Sequence, residues 1–389
     1  MSPRTLVVTN DYPPRPGGIQ AFVHELAVRQ PPGDIVLYAP AWTGAARFDA
    51  ALPYPVVRHP TSLMLPSADV ARRAAQIARA EGCDGVWFGA AAPLALLAPA
   101  LRRHGGVGRT VASTHGHEVG WALLPGARQL LRAVGATNDV VTYLGAYTHR
   151  RLAPALGRHP RMVRLASGVD TRLFRPGVGG REVRERYRLG GRPVIVCVSR
   201  LVARKGQDTL VRALPAIRRR VPDTVLLIVG GGPYRATIER LAREQGVASH
   251  VVVTGSVPRA QLPAHYAAGN VFAMPCRTRG AGLEVEGLGI VYLEASATGL
   301  PVVAGDSGGA PDAVLAGRTG HVVNGRDLAA VAAAVAGLLA DPERARIMGD
   351  QGRAWVQEYW RWEELADRLG RLLRGEHVPA ELPGSRQDL

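Results

Sequence analysis

Two glutamates separated by seven residues could bind a polar ligand. Glu286 and Glu294 flank GLGIVYL, and the pattern over 287–299 predicts a helix with both carboxylates near one face. The first amides of that helix would be unpaired donors, which favours an anionic ligand such as a diphosphate. These amides belong to Gly287, Leu288, Gly289 and Ile290. A nucleotide sugar fits this pattern, because it has hydroxyls at both ends and phosphate between them.

A second group of candidate residues lies in SRLVARKGQD, residues 199–208. Lys205 is the only lysine among the 48 basic residues of the chain. A compact ammonium is not equivalent to the planar fork of arginine at a phosphate, although the base composition of the gene could also explain a lone lysine. Arg200 and Lys205 lie on a loop that opens a predicted helix. Together they could hold a diphosphate from two sides.

Two further motifs follow predicted strands in the first half of the chain. In NDYPPRPGGIQ, Gly17 and Gly18 open a helix, where glycine lets a phosphate approach the backbone, and an ordinary loop is the alternative. In STHGHEVGW, His115 and His117 could contact a sugar hydroxyl or have a structural role. Their spacing is not that of a zinc site, and the chain has no Asp-x-Asp pair. We therefore predict no metal site and no cofactor.

Composition indicates a soluble protein with two domains and a basic first half. The chain has 389 residues, of which 47% are hydrophobic and 21% charged, and its three cysteines are scattered. We see no signal peptide and no membrane span, and we expect a cytoplasmic protein. Residues 1–175 carry 20 arginines against 10 acidic residues. A basic face of this kind could bind an anionic membrane surface, or it could simply be solvated. Nucleic acid is a weaker candidate for its partner, because only 5% of the residues are aromatic.

Alternation of β-branched runs with helical segments predicts an α/β fold with two doubly wound, Rossmann-like domains. The predicted parts are a first domain over 1–168, a hinge over 169–183, a second domain over 184–358, a helix over 359–375 packing back towards the first domain, and a disordered tail over 376–389. The predicted strands are Leu6–Thr9, Asp34–Tyr38, Val56–Arg58, Gly85–Phe88, Thr110–Ser113, Val140–Tyr143, Pro193–Ser199, Val225–Val229, Val251–Thr254, Val271–Met274, Pro301–Ala304 and His321–Val323. Ligands of such sheets bind beyond the carboxyl ends of the strands, so we expect the site in a cleft between the domains.

The motifs of the chain, taken together, resemble those of a known family. The Glu-x7-Glu segment, the SR-x4-K loop, the N-terminal GG and SGVDTRLFRP together resemble the retaining glycosyltransferases of family GT4, which have the GT-B fold. Segments such as VTNDYPPRPGGIQ and MPCRTRGAGLEVEGLGIVYLEA resemble its actinobacterial members that transfer mannose from GDP-mannose to a phosphatidylinositol monomannoside. The resemblance implies metal-independent transfer with retention, forming an α-1,6 linkage to inositol at the inner face of the membrane.

The resemblance also implies roles for individual residues. Arg200 and Lys205 would hold the donor diphosphate, and Gly18, next to Gly17, would leave room for it. Glu294 would bind the ribose hydroxyls. Glu286 would bind the donor sugar together with the amides of 287–290. The residues expected to be catalytic are His117, Arg200, Lys205 and Glu286.

Further expected contacts are less specific. Val257 would contact the guanine through its backbone, and Glu284 lies in the donor-binding loop, where it departs slightly from the family pattern. His117 would contact the transferred sugar. Asn10 and Asp11 are expected with His117 on the acceptor side.

Three other functions stay open on the residues alone. A GT4 enzyme could use another nucleotide sugar and a soluble or different lipid acceptor. A nucleotide-sugar or nucleic-acid binding protein would lack turnover, against which the intact set of Lys205, Glu286 and Glu294 argues. An NAD-dependent oxidoreductase would need a GxGxxG turn followed by an acidic residue, and VGGGPYR does not supply that arrangement.

Overall fold

The computed structural model describes residues 4–381 and contains two sheets whose strands are all parallel. The first sheet has seven strands, and the second has six. The strands of the first sheet are β1 Arg4–Val8, β2 Ile35–Pro40, β3 Val56–His59, β4 Cys83–Phe88, β5 Arg109–Ser113, β6 Val140–Tyr143 and β7 Arg161–Arg164. Those of the second are β8 Val194–Val198, β9 Val225–Val229, β10 Val251–Gly255, β11 Val271–Met274, β12 Val302–Gly305 and β13 Gly320–Val323.

Both sheets are doubly wound. Their spatial orders are β3-β2-β1-β4-β5-β6-β7 and β10-β9-β8-β11-β12-β13. The direction in which strands are added therefore reverses between β1 and β4 in the first sheet and between β8 and β11 in the second. β8 and β9 are apolar and wholly buried, as strands covered on both faces by helices must be. The α/β fold with two Rossmann-like domains is therefore confirmed.

Helices connect successive strands in both sheets. Those associated with the first sheet are α1 Gly18–Ala27, α2 Ala45–Asp49, α3 Ala68–Ala80, α4 Ala98–Gly105, α5 Glu118–Leu123, α6 Pro125–Thr137 and α7 Ala146–Leu156. Later helices are α8 Gly180–Arg186, α9 Gln207–Arg220, α10 Arg235–Glu244, α11 Leu262–Ala267, α12 Ile290–Ala297, α13 Leu328–Ala340, α14 Pro342–Tyr359 and α15 Trp362–Arg374. Among the helices within residues 4–381, none combines the length and apolar character needed to cross a bilayer.

The chain divides into two compact units. The first runs to Gly168 and resumes at Trp362, and the second comprises Val169–Arg361. α15 belongs to the first unit, where the side-chain amide of Gln30 donates to the carbonyl of Ala366 at 3.1 Å. The whole predicted hinge, residues 169–183, lies in the second unit, and its last four residues form the start of helix α8.

All twelve predicted strands are present, and the sequence analysis missed only β7 among the strands of the described chain. Its sequence, RMVR, has arginine at both ends and lies in a stretch that reads as a basic surface. β7 is the last strand of its sheet, and among the strands of residues 4–381 it pairs only with β6. An edge strand needs fewer apolar residues than a central one, so its pattern is weak.

The predicted disordered tail differs from the structure over residues 376–381. The hydroxyl of Tyr143 donates to the carboxylate of Glu381 at 2.5 Å. The buried guanidinium of Arg368 donates to the carbonyl of Glu381 at 3.0 Å. These bonds hold the segment within the first unit. The sequence pattern did not show them because they depend on tertiary packing, and Tyr143 lies 238 residues from Glu381 in the chain. Residues 382–389 of the predicted tail lie outside the described part.

Candidate active site

Three loops at the carboxyl edge of the second sheet bring the donor-site candidates together. β8, β11 and β12 are neighbours, and each is followed by a loop with candidate residues. The loop after β8 contains Arg200 and Lys205, the loop after β11 leads to Glu286, and the loop after β12 contains Ser307. Because parallel strands end at the same edge, residues far apart in sequence meet there.

The loop after β8 is held by hydrogen bonds from a side chain and from the backbone. The amide of Gln207 donates to the hydroxyl of Ser199 at 2.8 Å and to the carbonyl of Arg200 at 3.0 Å. The N–H of Leu201 donates to the carbonyl of Gly231 at 2.9 Å. Arg200 itself is exposed, so its side chain is available to a ligand at this edge.

Lys205 and Glu286 form an ion pair. The ammonium Nζ lies 2.5 Å from carboxylate Oε2, and the two side chains are only 12% and 9% exposed. Arg204 adds a second cation, since Nη1 lies 3.5 Å from the same carboxylate and donates to the carbonyl of Val285 at 2.9 Å. Removal of water strengthens these charge interactions, so the position of the Lys205 ammonium is well defined.

The segment after Glu286 offers several backbone donors. α12 begins at Ile290, three residues later than predicted, because Gly289 takes a positive φ of 82° that breaks the helical path. Within residues 4–381, the amides of 287–290 make no hydrogen bond to a protein acceptor. These donors lie directly after the carboxylate that binds Lys205, so the loop can bind an anion through its backbone.

The loop after β12 packs against the backbone of Glu286. The N–H of Gly309 donates to the carbonyl of Glu286 at 2.8 Å. Gly308 has a φ of 58°, and a Cβ there would lie 2.1 Å from the same carbonyl oxygen. The hydroxyl of Ser307 accepts from the N–H of Glu286 at 3.4 Å. Close backbone contact therefore fixes where the Glu286 carboxylate lies.

Glu294 is buried in α12 and has a phenolic partner. The hydroxyl of Tyr266 donates to its Oε2 at 2.7 Å. Burial raises the pKa of Glu294 to about 7, and the hydrogen bond from Tyr266 opposes this shift. The carboxyl group is 7% exposed as part of its residue and can accept a further hydrogen bond.

Two other predicted donor residues lie at the surface of the same unit. Val257 is partly exposed and follows β10. Glu284 is exposed, and its backbone pairs with Arg279 through an N–H to carbonyl bond of 3.1 Å and the reverse bond of 2.9 Å. Contacts of these residues with a nucleotide stay predictions.

The remaining candidates lie at the carboxyl edge of the first sheet. Asn10 bonds the backbone of Met64 with both polar atoms, at 2.9 and 2.7 Å, and Asp11 accepts from Gln20 at 2.7 Å. Asn10 therefore organises the loop after β1, and its contact with an acceptor stays a prediction. A Cβ added at Gly18 would meet no protein atom within 4 Å, so the protein leaves open space there.

The two histidines of STHGHEVGW have different environments. His115 is partly buried, its ring Nε2 lies 2.6 Å from the carbonyl oxygen of Gly89, and desolvation lowers its pKa, so its ring is engaged by the protein. His117 is 42% exposed and lies 3.5 Å from the buried carboxylate of Glu118. Glu118 also accepts the N–H groups of His115 and Gly116, each at 3.0 Å. His117 is thus the histidine that can reach a ligand.

Comparison with known proteins identifies the family. The model of the glycosyl transferases group 1 matches residues 181–355. The chain is 57% identical over 378 residues to a GDP-mannose-dependent alpha-(1-6)-phosphatidylinositol monomannoside mannosyltransferase of Mycolicibacterium smegmatis, covering 95% of this chain and 98% of the relative. The chain belongs to this family of group 1 glycosyltransferases. A Corynebacterium glutamicum relative that acts on the monoacylated acceptor is 47% identical, covering 96% of this chain and 99% of the relative.

The fold of this glycosyltransferase agrees with its family. The structure of Anabaena Alr3699/HepE in complex with UDP superposes with a TM-score of 0.81 at 19% identity, covering 96% of this chain and 100% of that chain. The GT-B fold expected from the sequence is therefore confirmed. The family model and the two relatives confirm the resemblance to GT4 enzymes.

Sequence reasoning gave no role to Arg204, Ser307 and Tyr266, which contact Glu286 or Glu294 in the glycosyltransferase. Arg204 was visible as a cation next to Lys205, and Ser307 lies in the glycine cluster GDSGG, so both had a local signal. Tyr266 had none, because it lies 28 residues before Glu294 in an ordinary helical pattern. Only the packing of α11 against the second sheet places its hydroxyl on that carboxylate.

Proposed function

We propose that the enzyme transfers mannose from GDP-mannose to a phosphatidylinositol monomannoside, forming an α-1,6 linkage to the inositol. The carrying observation is the ion pair between Lys205 and Glu286 in a chain that is 57% identical to such a mannosyltransferase. In a nucleotide sugar, one oxygen joins the terminal phosphorus to the anomeric carbon. A cation for the phosphate and a carboxylate for the sugar hydroxyls must therefore be close neighbours, as Lys205 and Glu286 are.

The charges around this pair suit a leaving diphosphate. The ammonium of Lys205 and the guanidinium of Arg200 would neutralise the charge that develops as the glycosidic bond breaks. The amides of 287–290 would add backbone donors for the phosphate or sugar oxygens. The carboxylate of Glu286 would accept hydrogen bonds from hydroxyls of the mannose. The carboxylate of Glu294 would accept hydrogen bonds from hydroxyls of the ribose. No divalent cation is required for these roles, and metal independence is part of the proposal.

We propose that transfer retains the anomeric configuration. The bond from the anomeric carbon to the phosphate oxygen would break while a bond to the acceptor oxygen forms on the same face. The proton of the acceptor hydroxyl would pass to an oxygen of the leaving phosphate. His117, exposed at the edge of the first sheet, would contact the transferred sugar and help to orient it.

The acceptor is a lipid, so the enzyme must work at a membrane surface, and we propose that α5 and α6 meet it. Leu123, Leu124 and Leu130 are 48%, 57% and 44% exposed and follow His117 closely in the chain. Arg128 and Arg132 are exposed on α6. Apolar side chains beside cations suit an anionic phospholipid surface at the inner face of the membrane.

A transfer assay read by mass spectrometry tests the proposal. GDP-mannose, UDP-glucose and UDP-N-acetylglucosamine are offered separately with phosphatidylinositol monomannoside in mixed micelles containing EDTA. A hexose added only from GDP-mannose is the expected result, and the α configuration of the product is checked by NMR. Transfer from a uridine donor alone, or no product until a divalent cation is restored, would contradict the donor or the metal independence.

A further inference from the structure

The second unit contains a buried tyrosine–glutamate pair whose tyrosine has no role in the proposed chemistry. The hydroxyl of Tyr266 donates to Glu294 Oε2 at 2.7 Å. Tyr266 is 0% exposed, and Glu294 is 7% exposed. A buried carboxylate needs hydrogen-bond partners, and Tyr266 is the partner that the described structure gives to this side chain.

Packing fixes the orientation of the phenol ring. The ring of Phe174 meets it edge-on at a centroid distance of 5.7 Å, and the ring of Phe272 lies tilted at 5.7 Å. α11 and β11 contribute Tyr266 and Phe272, and both are buried. The hydroxyl therefore cannot turn away from Glu294 without displacing aromatic neighbours.

The two carboxylate oxygens of Glu294 differ in their hydrogen bonding. Oε2 is engaged, whereas Oε1 makes no hydrogen bond to the described protein and is not sealed from solvent. One oxygen thus anchors the carboxylate, and the other is presented as an acceptor in a known direction. A carboxylate oxygen has two lone pairs, so this free oxygen can accept hydrogen bonds from both vicinal hydroxyls of a ribose.

We infer that Tyr266 is a positioning residue for donor recognition: it holds Glu294 so that the free oxygen accepts the ribose hydroxyls of the nucleotide. This inference rests on the proposed donor site. It adds a residue whose role is exerted through Glu294, without contact to the nucleotide. The role concerns binding of the donor and leaves the transfer step itself unchanged.

Binding of GDP and of 2′,3′-dideoxy-GDP, measured by calorimetry, tests the inference. The wild-type enzyme should bind GDP about tenfold more tightly than the dideoxy analogue, as expected for hydrogen bonds to a charged group. Tyr266→Phe should lose most of this discrimination. In the transfer assay its donor KM should rise about tenfold, with kcat within about threefold of wild type.

A matched control is Tyr143→Phe, which removes the tyrosine–glutamate hydrogen bond to Glu381 in the first unit. Discrimination should stay at the wild-type level in this variant. Undiminished discrimination in Tyr266→Phe would overturn the inference and leave the proposed function intact. A wild-type enzyme that binds neither nucleotide would overturn the donor site and the inference together.

A second variant guards against loss of folding in Tyr266→Phe. Glu294→Gln leaves Tyr266 in place and puts an amide of nearly the same shape where the carboxylate was. Tyr266 should donate to the amide oxygen, so the amide NH2 faces the ribose and discrimination falls. The double variant should then bind GDP no more weakly than Glu294→Gln alone. Independent, additive losses, or full discrimination in Glu294→Gln, would show that Tyr266 does not act through Glu294.

Discussion

The ammonium of Lys205 lies 2.5 Å from the carboxylate of Glu286, although 81 residues separate them in the chain. Both side chains are largely buried, so each is the main counter-charge of the other. A donor that binds here must place its phosphate beside the cation and its sugar beside the carboxylate. The pair therefore marks the point at which the bond to be broken should lie.

Replacing Lys205 should impair transfer strongly. Lys205→Ala should lower kcat/KM by about 10²-fold, because a stabiliser of the leaving diphosphate is lost. Steady-state kinetics with GDP-mannose would measure this. Arg346→Ala is the control, since Arg346 is an exposed cation of the same unit paired with Glu343 and Asp350. Activity of Lys205→Ala within about threefold of wild type would contradict the assigned role.

The backbone contact behind Glu286 should be sensitive to a single methyl group. Gly308→Ala places a Cβ 2.1 Å from the Glu286 carbonyl oxygen, which must displace the loop. We expect kcat/KM to fall by about 10²-fold through misplacement of the carboxylate. Gly317→Ala has a similar positive φ of 84° but open space around it, so it controls for backbone strain alone. Equal activity of the two variants would show that the close contact between Gly308 and the Glu286 carbonyl is not needed for transfer.

Burial of Glu294 should make stability depend on pH. The folded-state pKa of about 7 lies above the ordinary glutamate pKa of 4.5, so the folded state binds more protons than the unfolded state between these pH values. Stability should therefore fall as pH rises from about 5 to 8, by on the order of 2 kcal/mol. Glu294→Gln should lack this part of the decline. Denaturant unfolding of both proteins at several pH values measures the difference.

Removing a neighbour of Glu294 should shift the pKa of its carboxyl group in a direction that the structure predicts. Tyr266 from α11 and Arg259 from the turn before it both lower its pKa, against the larger effect of burial. Tyr266→Phe should therefore move the midpoint of the pH dependence upwards. A midpoint unchanged or lower in this variant would contradict the hydrogen bond as a stabiliser of the ionised form.

The leucines of α5 and the α5–α6 junction should mediate binding to membranes. A Leu123→Ser and Leu124→Ser double variant should bind vesicles containing phosphatidylinositol about tenfold more weakly, because apolar insertion is lost. Binding should also weaken as salt rises, since the arginines of α6 contribute electrostatically. Co-sedimentation with vesicles measures both effects.

Exposed apolar residues of the second unit provide the control for this prediction. Leu328 and Ile347 are 42% and 44% exposed, and their replacement by serine should leave vesicle binding unchanged. Binding that is insensitive both to salt and to the leucine replacements would exclude this surface as the docking site.

The main elements were predictable because their signals are local. Every predicted strand is present, since β-branched runs such as VLLIV of β9 are apolar over their whole length. β7 was missed because an edge strand flanked by arginines lacks that signal. The start of α12 was placed three residues early, because a sequence pattern does not show the positive φ of Gly289.

The sequence by itself determined the α/β class, the strands and the types of residue available for chemistry. Only the tertiary structure decided which of them meet: Lys205 with Glu286, and Tyr266 with Glu294. The reason is physical. Periodicity reports on neighbours a few residues away, whereas these pairs arise from the strand order of the second sheet and the packing of α11, which no local pattern encodes.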